Sequence, residues 1–485
     1  MSAMMILVLW MCTALNGISY PEREPPSRPA ERVGSISARY REAAERIINA
    51  AMTDNDAYSK LEELCVGIGH RLSGSPQLDR AVAWALRSMR QDGHENVHAE
   101  DVMVPRWVRG EESASMREPR VEPLAMLGLG GSVGTPPEGV TGAVVVVEDE
   151  AQLRAVGEAA RGKVVLFNNV MPPYDPVNGA GYSKAVRFRT HGARLASQYG
   201  AVACLIRSVT ATSLRSPHTG ALKYGDAPVN IPAAAVSTED AELIARLARR
   251  GQQVTVTLKM EARTLPDVRS ANVVGELRGS TLPDEIIVIG GHLDSWDVGQ
   301  GAHDDGGGCV AAMEAITILR SLNMIPRRTI RVVLWTNEEN GLRGAKAYAA
   351  EHAEELDKHV AAIESDGGTF HPLGYSVECR DELRQARAAD QMREIVNLLA
   401  PLGAMTITTG WSGADIGRMK SAGVVLMGQR VDGAEYFDYH HSRADTIDKV
   451  DPVELSENVA ALATVAYILA DMPLRVGERG TTSTH

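Results

Sequence analysis

Three apolar, β-branched runs in the second half of this chain each end in side chains that bind metal ions. The run 286–289 leads into Gly-Gly-His292-Leu-Asp294, the run 330–335 into Thr-Asn-Glu338-Glu339, and the run 360–363 into Glu-Ser-Asp366. Strands buried on both faces by helices read as continuous apolar runs. In an open α/β sheet, ligands gather outside the carboxyl ends of the strands, so these distant positions are expected to meet in one crevice. Helices are expected at 307–322, 341–356, 382–400 and 452–469, alternating with strands at 286–289, 329–335, 361–363 and 424–427. The fold class is therefore α/β, with a mostly parallel central sheet and helices on both faces.

At 485 residues the chain is too long for one ordinary core. An apolar stretch from 4 to 15 has the look of a secretory signal, which places the mature protein outside the cytoplasm, periplasmic or extracellular. No Lys or Arg precedes Arg23, however, so a misplaced start codon is the competing explanation. Residues 1–19 are assigned to this signal and 20–35 to a Pro/Arg/Glu-rich linker. Helices follow at 36–52, from 59 and at 78–92, then a strand at 97–104, all within a first catalytic part at 36–108. Residues 109–265 change texture. Short strands at 143–147, 163–167 and 203–206 and a helix at 238–250 sit among Gly and Pro, as in a β-rich inserted module. His191 and His218 lie there and are expected to be ordinary surface or satisfied histidines. A second catalytic part, 266–473, carries the metal-type residues, and 474–485 is a polar tail. The stretch 4–15 is too short to span a bilayer and no later segment is expected to do so. A net charge of −12 argues against a general nucleic-acid binder. Five scattered cysteines give no disulfide framework.

His292, Asp304, Glu339, Asp366 and His441 supply two imidazoles and three carboxylates, a set suited to zinc, with cobalt or manganese tolerated. Five protein ligands exceed what one catalytic zinc takes, and fit two ions that share a bridging carboxylate. Asp304, in the Gly-rich loop 299–308, is the bridging candidate. Its neighbour Asp305 is placed to cap the following helix. Glu338 and Glu339 cannot point the same way in extended chain, so one binds metal while the other, Glu338, serves as general base. Asp294 is expected to orient the imidazole of His292.

At these residues the chain resembles the co-catalytic zinc aminopeptidases of peptidase family M28. The resemblance is carried by Gly291-His292-Leu-Asp294-Ser, Gly301-Ala-His-Asp304-Asp-Gly, Asn337-Glu338-Glu339-x-Gly-Leu-x-Gly344-Ala, Glu364-Ser-Asp366 and His441-Ser-x-x-Asp445-Thr. Three phrases at 162–167, 200–206 and 231–241 are similar to the protease-associated (PA) domain pattern. With Ser216-Pro-His-Thr-Gly220, the likeness is greatest to the carboxypeptidase Q branch. The resemblance implies His292 and Asp366 on one zinc, Glu339 and His441 on the other, Asp304 between them, and Glu338 as base. It also implies unblocked dipeptides as substrates and a homodimer. His440, just before the last ligand, is assigned either to the oxyanion of the tetrahedral intermediate or to orienting its neighbour.

The expected reaction is hydrolysis of short peptides by a metal-bound water. Action on longer peptides as an aminopeptidase is the alternative. Single-zinc glutaminyl cyclisation occurs on a similar fold but does not need the full five-ligand set. A different class, the inactive peptidase-like binding or receptor scaffold, would tolerate loss of ligands, and none is missing. Arg430, Asp415, Tyr436 and Arg443 are expected in loops near the site, and which of them meets a substrate terminus is left open.

Overall fold

The computed structural model describes residues 35–176 and 179–479. The apolar stretch 4–15, the linker and the last six residues lie outside these. One eight-stranded sheet runs, edge to edge, through Glu95–Val108, Arg263–Leu277, Arg328–Trp335, Leu282–His292, His359–Glu364, Val425–Val431, Pro372–Glu378 and Thr406–Thr409. Its four middle strands are mutually parallel, and antiparallel pairs flank them. The runs that looked like doubly buried strands are so: Ile287, Val288 and Ile289 are all fully buried, alternate side chains entering cores on opposite faces of the sheet.

One face is covered by helices Ile36–Thr53, Gly307–Ser321 and Pro452–Asp471. Pro452–Asp471 starts where Asp451 accepts from the N–H of Val453 at 2.7 Å and Pro452 takes the first turn. By length and composition alone this helix could cross a membrane, and it is mostly buried in the core, as a helix that is apolar all round can be. The helix expected at 341–356 is shorter, Arg343–Glu351. Strands Pro372–Glu378 and Thr406–Thr409 and the long strand Arg263–Leu277 were not anticipated. The first half of Arg263–Leu277 is largely solvent-facing and polar, so apolar runs could not mark it.

A second eight-stranded sheet is built wholly between Glu112 and Met260. It carries helices as well as strands: Glu150–Val156, Tyr182–Ser197 and Thr238–Arg249. The helix Tyr182–Ser197 escaped the sequence reading because its apolar face is interrupted by arginines, two of which, Arg187 and Arg189, flank Phe188. The chain leaves the first sheet at Val108 and returns at Arg263, and these two residues pair across an antiparallel ladder.

Candidate metal centre

His292 ends its strand in the middle of the first sheet. Its Nε2 lies 3.1 Å from Asp304 Oδ1 and 3.5 Å from Asp366 Oδ1. On the other side of the same aspartate, His441 Nε2 lies 3.3 Å from Asp304 Oδ2 and 3.0 Å from Glu339 Oε2. Each oxygen of Asp304 thus faces one histidine–carboxylate pair. His440 stacks on His441 at 3.6 Å between centroids and its Nε2 is 3.8 Å from Asp304 Oδ2.

The loop that carries Asp304 is held from below. Asp445 accepts the N–H groups of Ala302, His303 and Asp304 at 3.0, 2.8 and 3.2 Å. Arg71 is fully buried, has no carboxylate partner among the described residues, and donates to the carbonyls of Leu293, Gln300 and Gly301. It stitches the end of the central strand to the Gly-rich loop. Asp305 does not join the donor cluster: its carboxylate accepts from His292 N and Gly308 N, both at 3.0 Å, capping the helix as expected. Gly291 leaves room for this, since a Cβ there would sit 2.1 Å from Asp305 Oδ2.

The structure shows which atom of Asp294 meets His292. His292 Nδ1 bonds the main-chain carbonyl of Asp294 at 2.9 Å, while the carboxylate lies farther off at 3.9 Å. The imidazole is still oriented by this residue, with Nε2 left toward the acids. The carboxylate has other work: it accepts from the N–H of Glu338 at 3.0 Å and from Ser73 Oγ at 3.2 Å.

Electrostatically the crevice holds too many acids for its bases. Burial pushes the Glu338 carboxyl up to about 8, with Asp366, Asp294 and Asp304 adding to the rise and His292 opposing it. Burial and then Asp304 raise Glu339 well above the carboxylate range. His441 is driven well below its usual value by burial and by His440, so it stays neutral with a lone pair available. Asp304 Oδ2 and Glu339 Oε1 are buried and make no hydrogen bond among the described residues. Buried polar atoms seldom go unpaired, and unpartnered carboxylate oxygens beside neutral imidazole nitrogens are what divalent cations satisfy. The residues present fit a pair of such ions: His292 and Asp366 on one side of Asp304, His441 and Glu339 on the other.

Several residues of this centre escaped sequence reasoning. His218 is not a surface histidine. It is 1% exposed, and its Nδ1 donates to the carbonyl of His440 at 2.6 Å. Arg189 Nη1 approaches His441 Nδ1 to 3.3 Å. Arg71 carried no signal beyond its type, whereas Asp445 stood at a fixed place in the last motif. Beside Asp366 opens a cavity of about 450 Å³, lined among others by Arg430, Ser376, Trp411, Tyr436 and Phe437. Arg430 is half-buried there, and among the described residues no carboxylate pairs with it. Asp415 is buried in the neighbouring loop, which Glu364 holds by accepting the N–H groups of Ala414, Asp415 and Ile416 at 2.9, 3.0 and 2.9 Å.

A cluster of acids and imidazoles at the carboxyl ends of parallel strands, with a cavity beside it, defines the metal-dependent hydrolase class of α/β proteins. Comparison with known proteins gives the family. The model of peptidase family M28 matches residues 272–466, which include all the metal-type residues above. Carboxypeptidase Q of Mus musculus is 43% identical over 460 residues, covering 94% of this chain and 94% of that protein. Carboxypeptidase Q of Homo sapiens is 41% identical, covering 94% and 93%. A peptidase M28 precursor from Shewanella amazonensis SB2B aligns with a TM-score of 0.85 at 35% identity, over 91% of this chain and 98% of that one. BSAP, a zinc aminopeptidase from Bacillus subtilis, shares the fold with a TM-score of 0.62 at 20% identity, over 86% and 94%. The chain belongs to peptidase family M28, and it is a metallopeptidase.

Proposed function

We propose that this protein is a two-zinc exopeptidase that hydrolyses short peptides, unblocked dipeptides above all. The observation that carries the proposal is the placement of Asp304, whose two oxygens face two separate histidine–carboxylate pairs. Zinc suits the mixed imidazole and carboxylate donors. Bound there, the ions would lower the pKa of a water toward about 7 and polarise the scissile carbonyl.

The chain's own residues do the rest. Glu338 is the base: its raised carboxyl pKa favours taking a proton, and cations bound nearby would lower that value. It then hands the proton to the leaving amine. Asp294, by gripping the N–H of Glu338, fixes where that carboxylate stands. His440 is assigned to the developing oxyanion. The cavity beside Asp366 is of the size that small-molecule sites occupy, about 300–1,000 Å³, and Arg430 in its wall is suited to a substrate carboxylate. The segment 109–265 is proposed as an inserted PA-like domain, supported by the pairing of its two ends across one ladder.

The test is release of amino acids from dipeptides with free and with acetylated amino termini, by zinc-loaded protein. Cleavage confined to the free-amine set supports the proposal. No cleavage of either set by protein shown to hold two ions sinks it.

A further inference from the structure

His440 and His441 sit between two parts of the chain. They follow the short helix Tyr436–Tyr439 of the second catalytic part, yet the groups that hold their backbone come from the segment 208–220, within the second-sheet part of the chain. His218 Nδ1 donates to the His440 carbonyl at 2.6 Å. The N–H of Thr219 donates to the His441 carbonyl at 2.9 Å. The Thr219 carbonyl in turn faces His441 Nδ1 at 3.3 Å. An imidazole that donates its Nδ1 proton to that carbonyl keeps the Nε2 lone pair toward Asp304 and Glu339.

This segment is itself anchored. The N–H of His218 donates to Ser208 Oγ at 3.0 Å, and Ser208 Oγ donates to the Val236 carbonyl at 2.8 Å, on a strand of the second sheet. Thr219 Oγ1 donates to Gly128 O at 2.7 Å, on another strand of it. A run of hydrogen bonds therefore leads from the second sheet to the His440–His441 peptide. His441 needs such support, because its φ is +59°, a left-handed conformation that a non-glycine residue adopts at a cost and keeps only where its surroundings impose it.

We propose that the second sheet, through His218, is part of the metal centre: His218 is a positioning residue that holds His441 in its ligating pose, so the Glu339–His441 side is assembled only when the two parts are docked. The proposal rests on the two-ion reading above. His218 touches no ion and no substrate. Burial keeps its imidazole neutral, and its Nε2 is buried without a partner among the described residues.

The test is zinc binding by the full chain, stripped and then titrated with zinc alone against a chromophoric chelator. The parent is expected to bind two ions, and His441→Ala to lose one of them. His218→Ala is expected to weaken that same step by roughly 10–100-fold, the usual effect of removing a partner of a ligand, leaving the other step as in the parent. His218→Asn places an amide donor where Nδ1 stands and is expected to restore it, whereas His218→Gln, with the donor one bond farther out, is not. The Asn and Gln pair decides the matter if the alanine variant does not fold. Two parent-like steps in His218→Ala, or in His218→Gln, overturn the proposal. Two parent-like steps in His441→Ala overturn the two-ion ligand reading first, and the proposal with it.

Discussion

The Asp294 carboxylate accepts a hydrogen bond from the backbone N–H of Glu338 at 3.0 Å, while the carbonyl of the same residue holds His292 Nδ1 at 2.9 Å. One residue thus fixes both a metal-type imidazole and the carboxylate proposed as base. Asp294→Ala should leave the Glu338 N–H unpaired in a buried site, a cost of about 1–3 kcal/mol. Asp294→Asn keeps an accepting oxygen. Turnover is expected to fall about 10–100-fold in the alanine variant and much less in the asparagine variant, while zinc affinity stays near the parent's because the carbonyl that holds His292 remains; steady-state kinetics and chelator competition would measure both.

Glu338→Gln removes the proton acceptor and keeps the shape. Loss of general base catalysis should lower kcat by roughly 10²–10⁴-fold, with the zinc content unchanged by elemental analysis. Loss of zinc together with activity would instead make Glu338 a ligand.

Metal removal should change how stability responds to pH. In the ion-free protein, burial raises Glu338 to about 8 and Asp445 to about 7, with neighbouring acids adding to each rise. An acid whose folded pKa is raised binds its proton more tightly when folded, so it favours the fold at low pH. That contribution fades as pH climbs from the unfolded carboxylate value, about 4, through these folded values. Thermal melts of stripped protein should therefore drop in Tm between pH 5 and about 8. Zinc-loaded protein, whose acids are paired with cations, should show a flatter profile and a higher Tm throughout.

Arg430 tests the substrate's other end. If it meets a carboxylate, the parent should prefer a dipeptide acid over the matching dipeptide amide in kcat/KM, and Arg430→Gln should shrink that ratio by about tenfold or more, the scale of a charge-assisted hydrogen bond. An unchanged ratio would move carboxylate recognition elsewhere in the cavity.

What could be seen in the sequence, and what could not, divides along physical lines. His292, Glu339 and Asp366 were visible because each follows a doubly buried strand, whose apolar run is written in consecutive residues. His441 and Asp304 sit in loops and were found through donor type and motif spacing. Arg71 was not found, and His218 was seen only as a surface or satisfied histidine within the phrase 216–220, because their importance lies in which carbonyls they reach across 222 positions of chain, and nothing local records that. Asp294 was found for the right neighbour, with the atom left open, since sequence cannot tell a carbonyl from the carboxylate of the same residue. The helix Tyr182–Ser197 was missed because its buried face includes an arginine, Arg189, which breaks the apolar pattern along the chain.

The pairing of Val108 with Arg263 means that the chain departs and comes back at one rung of one ladder. As a matter of topology, the 154 residues between could be cut out and the gap bridged by a turn, with the first sheet's strand order untouched. The hydrogen bonds from Ser208, His218 and Thr219 say otherwise for chemistry. A protein shortened in that way would keep the strand order, uncover Leu72, Trp107 and Trp296, and lose the hydrogen bonds to the His440–His441 peptide.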